Sequence, residues 1–113
     1  MEYMMFVCTD PEGEPYDAAE DRTAEWVAEA ESTGSRIRGN RLRPAEDART
    51  VRVRGGRLVV TDGPSSAAGV EIAGYDILEC ASLEEAVALA AKHPMARFGR
   101  IEVRPAWPFD AGD

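Results

Sequence analysis

The order of strand-like and helix-like segments constrains the fold of this chain more than any other feature of the sequence. Apolar or alternating runs typical of strands surround two segments with helical periodicity, residues 21–33 and 82–92. A capping box at Ser82 and Glu85 begins the second helix, and Pro94 ends it. Each helix therefore lies between two strands, which predicts the order β-α-β-β-α-β, the split βαβ pattern of a ferredoxin-like α+β fold.

The four strands of this pattern are assigned to residues 3–8, 35–43, 71–80 and 98–104. Gly34 is placed to end the first helix in a left-handed cap, and Gly74 marks a bulge or a close backbone approach in the third of these strands. Helical and strand periodicity select the side chains expected to face the core. They are Trp26, Val27, Ala30, Ile37, Leu42, Leu83, Ala86, Val87 and Ala90.

A β-hairpin is inserted between the second and third of these strands. Two β-rich runs, residues 50–54 and 57–61, flank the dipeptide Gly55-Gly56. Glycine readily adopts the positive φ that a two-residue hairpin turn requires. The hairpin therefore has the strongest local signal in the chain, and the sequence Asp62-Gly63-Pro64 follows it as a turn.

Length, charge and hydropathy limit the class of protein. A chain of 113 residues is of the size of one domain, so residues 1–113 are predicted to form a single domain. The net charge of −8 argues against nucleic acid as a partner, because phosphate binding needs a positive surface. No apolar run reaches the length of a membrane span, and the N-terminal residues lack the basic region of a signal peptide. The expected location is the cytoplasm, without contact to a membrane.

Arginine and cysteine each allow two interpretations. Residues 36–57 contain eight arginines, which would suit either a nucleic-acid patch or the solvated face of a strand. Their alternation with apolar residues favours the solvated face. Cys8 and Cys80 are expected near opposite ends of the sheet, so buried free thiols are favoured over a disulfide.

The first strand predicts a homodimer. Tyr3, Met5 and Val7 alternate with Met4, Phe6 and Cys8, so the strand is apolar on both faces. The two helices of a ferredoxin-like fold cover one face of the sheet, and the other face needs a second cover. A second copy of the chain, packed sheet to sheet, is the simplest cover, and Trp107 and Phe109 are placed to seal its edge.

The predicted topology also gathers candidate functional residues at one end of the sheet. Residues expected there, near Thr9 and Asp10, are Arg43, Asp62, His93 and Arg97. The dipole of the preceding helix and the acidic net charge favour a protonated His93, and a His93–Asp62 pair could serve as an acid–base couple. The alternative is that His93 donates to the last helix carbonyls and Asp62 is a turn residue. The sequence has no metal-ligand spacing and no cofactor motif, so neither a metal nor a cofactor is expected.

Four segments together resemble the YCII-related proteins of the DGPF subgroup. These segments are TVRVR…VTDGP (50–64), AGYDILEC (73–80), AAKHPMA (90–96) and GRIEVRP (99–105). The resemblance implies a dimeric α+β barrel with ferredoxin-like protomers. It also implies a functional link to a sigma factor, since DGPF relatives are often encoded beside extracytoplasmic-function sigma factors.

This chain departs from the pattern that it resembles. Ser65 stands where the subgroup has the phenylalanine of Asp-Gly-Pro-Phe, and residues 66–69 are small instead of charged. A dehydrochlorinase related to the family carries its histidine on the first helix, whereas residues 21–33 of this chain contain none. That catalytic assignment is therefore not transferred.

Two functions follow, and the sequence does not decide whether the protein is an enzyme. The first is an uncharacterised YCII-related homodimer that binds a small ligand or a protein partner, which the altered loop after Pro64 favours. The second is a small-molecule lyase or isomerase with His93 and Asp62 as acid–base groups. Candidate residues for holding an anionic ligand are Arg43, Tyr75 and Arg97.

Overall fold

The computed structural model describes residues 1–65 and 69–110 and contains two antiparallel sheets and three helices. Short 3₁₀ turns lie at Ala18–Glu20 and Ala45–Asp47. In chain order the strands and helices are β1 (Glu2–Cys8), α1 (Thr23–Ser32), β2 (Arg36–Arg41), β3 (Arg49–Arg54), β4 (Arg57–Asp62), β5 (Ile72–Glu79), α2 (Leu83–Ala91), α3 (Met95–Phe98) and β6 (Arg100–Pro105).

The larger sheet has the strand order β2-β5-β1-β6, and every neighbouring pair is antiparallel. The two βαβ units thus interleave, with β1 and β5 in the centre, which is the ferredoxin-like arrangement. The register changes between Val7 and Cys8, whose partners on β5 are Gly74 and Ile72. The predicted α+β fold is confirmed, including the irregularity at Gly74.

The core lies between one face of this sheet and the helices α1 and α2. Alternate residues of β1 point into it, as the pleat of a strand requires. The indole N–H of Trp26 donates to the carbonyl oxygen of Leu89 at 2.9 Å, which ties α1 to α2. The buried cluster consists of Tyr3, Met5, Val7, Trp26, Leu78, Cys80, Ala86 and Ala90.

Four of the residues predicted to face the core are exposed instead of packed. Leu83 and Val87 are 42% and 50% exposed, because the alanines at positions 86 and 90 form the face of α2 that meets the sheet. Ile37 is 49% exposed, and the register of β2 shifts between Arg36 and Arg38. A bulge reverses the inward and outward alternation of a strand, so a prediction that assumes a regular strand fails there.

Leu42 is also exposed, since β2 ends at Arg41 and Leu42 is the first residue beyond it.

Pro94 ends α2 as predicted, but the chain then forms α3, a short helix that begins after Pro94, so that β6 begins only at Arg100. The capping box is present with one difference. Ser82 accepts from the Glu85 N–H, while the Glu85 carboxylate accepts from Ala81 N–H instead of Ser82 N–H.

The predicted hairpin forms a separate two-stranded ribbon of β3 and β4. Gly55 and Gly56 both have positive φ, +56° and +78°, so the turn has the conformation that glycine was expected to supply. The ribbon is inserted in the sequence between β2 and β5 and is not part of the larger sheet. The side chains of β4 therefore lie away from the core.

The opposite face of the larger sheet has no helix on it. Met4, Phe6, Tyr75 and Ile77 lie on this face, the open face of the sheet, and are half-buried. Cys8 and Cys80 are both buried free thiols, as predicted.

Candidate functional site

A cleft of about 540 Å³ lies beside the first turn of α1, where β2 and β5 meet the segment between α2 and α3. This volume is within the range of small-molecule sites. The polar residues that line the cleft and matter for its chemistry are Asp21, Arg36, Tyr75, Asp76 and His93. Val7, Val27 and Met95 supply apolar surface.

His93 is the best-anchored of these side chains. It follows the C-terminus of α2 and is 5% exposed, because Pro94 turns the chain and directs the imidazole inward. The ring meets the edge of Trp26, with a centroid distance of 4.7 Å. Its Nδ1 accepts a hydrogen bond of 3.0 Å from the backbone N–H of Met95. The position of the ring is therefore fixed from two sides.

The surroundings of His93 keep the imidazole neutral. Burial is the main effect and lowers the pKa of His93, while the negative charges of Asp76 and Asp21 oppose it and the positive charge of Arg36 adds to it. Nδ1 is an acceptor, so the single proton of the neutral ring is on Nε2. The helix dipole was expected to favour a protonated His93, whereas burial lowers its pKa. The alternative had His93 donating to the last helix carbonyls, whereas its Nδ1 accepts from Met95 N–H.

Nε2 is the atom that His93 offers to the cleft. Among the described residues Nε2 has no hydrogen-bond partner, and no buried side-chain nitrogen or oxygen in this part of the chain is left unpaired. Nε2 is therefore in contact with open space instead of being enclosed. In the neutral tautomer it presents an N–H donor to any molecule in the cleft.

Asp76 places a carboxylate in the same cleft. It is on the helix-facing side of β5, opposite Met5 of β1, and its side chain is 8% exposed. Oδ1 accepts from Nε of Arg36 at 2.7 Å, and Arg36 also pairs with Glu31 at 3.1 Å. Oδ2 has no hydrogen-bond partner among the described residues, which leaves it as an acceptor for a ligand.

Gly39 makes room for this pair. It lies opposite Asp76 on the neighbouring strand β2. A Cβ at position 39 would overlap with the Asp76 carboxylate and the Tyr75 carbonyl oxygen, and it would come within 2.8 Å of Arg36. The absence of a side chain at position 39 therefore leaves space for the Asp76 carboxylate and the Arg36 guanidinium beside β2.

Asp21 is the second carboxylate at the cleft and has a different role. Its Oδ1 accepts from the hydroxyl and the backbone N–H of Thr23 at the start of α1, and its Oδ2 accepts from the hydroxyl of Tyr16. These hydrogen bonds, those from Thr23 and Tyr16 first, hold the pKa of Asp21 below its usual value. Asp21 is therefore a charged residue that fixes the N-terminus of α1 by these hydrogen bonds.

Of the residues predicted to form the site, two line this cleft. They are His93 and Tyr75. Tyr75 alternates with Asp76 along β5, so its ring is on the open face, where the hydroxyl accepts from Nδ2 of Asn40 at 3.1 Å. The backbone of Tyr75 is thus what borders the cleft, while its ring does not point toward His93.

The other three predicted residues lie elsewhere and have carboxylate or guanidinium partners of their own. Asp62 ends β4, pairs with Arg49 at 3.1 Å and has an 87% exposed side chain. Arg43 pairs with Asp47 at 2.8 Å, and Arg97 pairs with Glu14 at 2.9 Å. The sequence predicted that Asp62, Arg43 and Arg97 lie around His93 near Asp10. The structure does not bring these residues together, and Asp10 pairs with Arg100. The ribbon explains this, because it moves Asp62 out of the sheet.

Sequence reasoning did not select Asp76, Arg36 or Gly39. A signal was available, since Asp76 is an ionisable residue inside an otherwise apolar strand, and such a residue needs a partner when it is buried. The sequence does not reveal that the partner is Arg36, forty positions earlier. Residues 66–68 of the loop that departs from the DGPF pattern lie outside the described residues.

Within residues 1–65 and 69–110, no group of three or more His, Cys, Asp or Glu side chains could hold a metal ion. In the same part of the chain, no helix has the length and apolar character that crossing a membrane requires.

Comparison with known proteins identifies the family. The model of the YCII-related domain matches residues 1–110. An uncharacterized protein of Rhizobium meliloti (strain 1021) is 35% identical over 75 residues, which are 65% of this chain and 60% of that protein. The chain thus matches less than two thirds of the length of this relative. With the family model spanning nearly all of its residues, the chain belongs to the YCII-related family.

Proposed function

We propose that the protein binds a small, uncharged polar molecule in the His93 cleft. His93 would donate from Nε2–H to a carbonyl or hydroxyl oxygen of this ligand, and Asp76 would accept at Oδ2 from a hydroxyl or amide N–H. The observation that supports this proposal is the anchoring of His93 by Met95, which leaves a neutral N–H donor at the cleft. A donor that faces the cleft and has no partner among the described residues favours a ligand that supplies an acceptor.

The charges around the cleft support a neutral ligand over the anion expected from the sequence. The charged residues that line it are Asp21, Arg36, Arg41 and Asp76, two of each sign. Arg43 and Arg97, which were expected to hold an anion, lie outside this cleft and already pair with carboxylates. An anionic ligand would therefore meet no net positive charge here.

A second candidate function, a lyase or isomerase, is favoured by the presence of a carboxylate and a neutral imidazole in one cleft. In this reaction Oδ2 of Asp76 takes a proton from the carbon next to a substrate carbonyl, and His93 Nε2–H stabilises the enolate oxygen. Return of the proton to another carbon gives an isomer, whereas loss of a leaving group with its electron pair gives an alkene. Asp62, the base expected from the sequence, does not line this cleft.

Two substitutions at position 93 separate the roles of the two ring nitrogens. In His93→Asn, Oδ1 can accept from Met95 N–H in place of Nδ1, but the donor at Nε2 is lost. In His93→Gln, the amide N–H₂ reaches the position of Nε2, but Met95 loses its acceptor. Asp62→Asn is the matched control for Asp76→Asn, because it makes the same change in an exposed pair.

The test is a ligand screen by NMR with hydroxycarbonyl compounds, amides and carboxylates, followed by titration of the variants. We expect uncharged compounds to bind. His93→Asn should weaken binding about tenfold or more, the effect of losing one buried hydrogen bond, whereas Asp62→Asn should bind as the wild type does. Binding of carboxylates alone, or equal losses for Asp62→Asn and His93→Asn, would contradict the proposal. Turnover of a bound compound that Asp76→Asn abolishes would favour the second candidate.

We also propose that the functional unit is a homodimer, as the first strand and the resemblance to DGPF proteins both predicted. The open face supports this, because Met4, Phe6, Tyr75 and Ile77 are apolar and carry no helix. Trp107 and Phe109 are 73% and 111% exposed, which is compatible with their predicted role at the edge of the dimer. The DGPF subgroup, the sigma-factor link and the cytoplasmic location stay predictions.

A further inference from the structure

The two glycines that line the His93 cleft have different surroundings. Gly39 and Gly74 belong to the neighbouring strands β2 and β5. The space that a side chain at position 39 would occupy is taken by the Asp76 carboxylate and the Arg36 guanidinium. At position 74 the three atoms nearest to an added Cβ are all backbone atoms of β2, at 3.0, 3.5 and 3.8 Å. The space above Gly74 therefore belongs to the cleft.

Gly74 lies on the same face of the sheet as Asp76. One residue separates the two on β5, and both are buried, so the alternation of the strand directs them to the side that the helices cover. Two residues of a strand span about 7 Å. The space above Gly74 is thus next to the carboxylate that contacts the proposed ligand.

Apolar side chains border the space above Gly74. Val7 lies directly opposite Gly74 on β1, and Val27 of α1 and Met95 of α3 line the same cleft. Val7 belongs to the buried core cluster, and the other two pack against it. Arg41, opposite Gly74 on β2, is exposed, so its guanidinium can stay in water while its stem borders the cleft.

The cleft is larger than the polar group of the proposed ligand requires. The donor of His93 and the acceptor of Asp76 engage a carbonyl and a hydroxyl or amide group, which together are only a few atoms. Sites of about 300–1,000 Å³ enclose whole drug-sized molecules, and the cleft has a volume of about 540 Å³. The remaining apolar part of the cleft favours an apolar substituent on the ligand, because burial removes this substituent from water.

We infer that the ligand carries an apolar substituent and that Gly74 provides the space for it. The polar group of the ligand lies between His93 and Asp76, and the substituent lies over the backbone of Gly74. This inference rests on the proposed function and adds the class of ligand, an amide or hydroxycarbonyl compound with a branched aliphatic or ring substituent. Gly74 is then a specificity-determining residue, since a side chain there takes the space of the substituent.

Two series of probes, each with one polar group and a varied substituent, test the inference. The first is acetamide, isobutyramide and benzamide, and the second is hydroxyacetone and α-hydroxyacetophenone. NMR titration of the full chain gives their dissociation constants. Each buried CH₂ strengthens binding about fourfold, so we expect isobutyramide to bind about tenfold more tightly than acetamide. Each phenyl compound should exceed its methyl counterpart by about tenfold or more.

Gly74→Ala and Val27→Thr should reduce this gain in affinity in two different ways. The alanine fills space above position 74, and the threonine replaces an apolar methyl group of the cleft by a hydroxyl. We expect each to reduce the gain from acetamide to benzamide by about threefold or more, and to change acetamide binding by about twofold at most. Ala28→Ser adds a hydroxyl at an exposed position of the same helix and should keep the full gain. If Gly74→Ala does not fold, as its NMR spectrum would show, Val27→Thr and Ala28→Ser decide the test.

The outcomes separate the substituent from the proposed function. Equal affinities of the wild type for the methyl and phenyl members of each series would overturn the inference and retain the proposed function. Binding of none of the five probes would overturn both. A gain that stays as large in Val27→Thr as in Ala28→Ser, or that a folded Gly74→Ala leaves unchanged, would also overturn the inference, because the substituent would then lie elsewhere.

Discussion

The backbone N–H of Met95 donates to Nδ1 of His93 at 3.0 Å. This single bond decides which nitrogen of the histidine carries the proton. It makes the imidazole an N–H donor toward the cleft, and it opposes protonation because an imidazolium Nδ1–H would face the Met95 N–H. Pro94 between the two residues holds the turn that brings them together.

The lowered pKa of His93 predicts that the protein loses stability in mild acid. Burial keeps the folded state neutral, whereas the unfolded chain takes up a proton near the ordinary histidine pKa of about 6.5. The contribution of His93 is therefore complete above about pH 6.5 and is lost as the pH falls from there toward the folded-state pKa. Urea unfolding between pH 5 and 8 measures this loss. His93→Gln should show a flatter profile over the same range, and an unchanged profile would contradict the assignment.

Because the Arg36–Asp76 pair is buried, we predict that Asp76→Asn destabilises the protein more than Asp47→Asn, which breaks an exposed pair. Both side chains are at most 10% exposed, so Asp76→Asn leaves a buried guanidinium with part of its charge uncompensated. We expect a loss of about 3 kcal/mol in the free energy of unfolding, the lower end for a broken buried pair. Asp47→Asn removes the partner of Arg43, which is 85% exposed, and should cost less than about 1 kcal/mol. Chemical denaturation measures both, and equal effects would contradict the prediction.

We predict that the addition of one methyl group at position 39 perturbs the cleft. Gly39→Ala places a Cβ against the Asp76 carboxylate and the Tyr75 carbonyl. Overpacking of this kind typically costs about 1–3 kcal/mol, and the shifted carboxylate should also weaken ligand binding. Asn40→Ala at the adjacent position removes one exposed hydrogen bond and is the matched control. Comparable stability and binding for Gly39→Ala and wild type would show that the carboxylate is not held against β2.

Local signals determined how much of this structure could be predicted. The order of strands and helices along the chain, the hairpin at Gly55-Gly56 and the start of α2 at Ser82 each depend on short runs of residues, and all are confirmed. A nine-residue helix offers several apolar stripes, so periodicity alone could not tell that Ala86 and Ala90 would displace Leu83 and Val87 from the core.

The site was harder to predict, because it depends on contacts between distant residues. His93 was predicted as a site residue and lines the cleft, but its charge state follows from burial against Trp26, which the sequence does not show. Asp62 was placed next to His93 because it was expected to lead into the third strand of the sheet from the end at which the second helix stops. The ribbon instead leaves the sheet, and the carboxylates that line the cleft are those of Asp76, inside β5, and Asp21.

The most direct test is the ¹⁵N NMR spectrum of the imidazole, since His93 is the single histidine of the sequence. A titration from pH 5 to 8 on untagged protein gives both the tautomer and the pKa. If His93 is held as a neutral donor, the spectrum at pH 7 shows a protonated Nε2 and an unprotonated Nδ1, and the pKa lies below the ordinary value. A charged ring at pH 7, or a proton on Nδ1, would contradict the proposed role of His93.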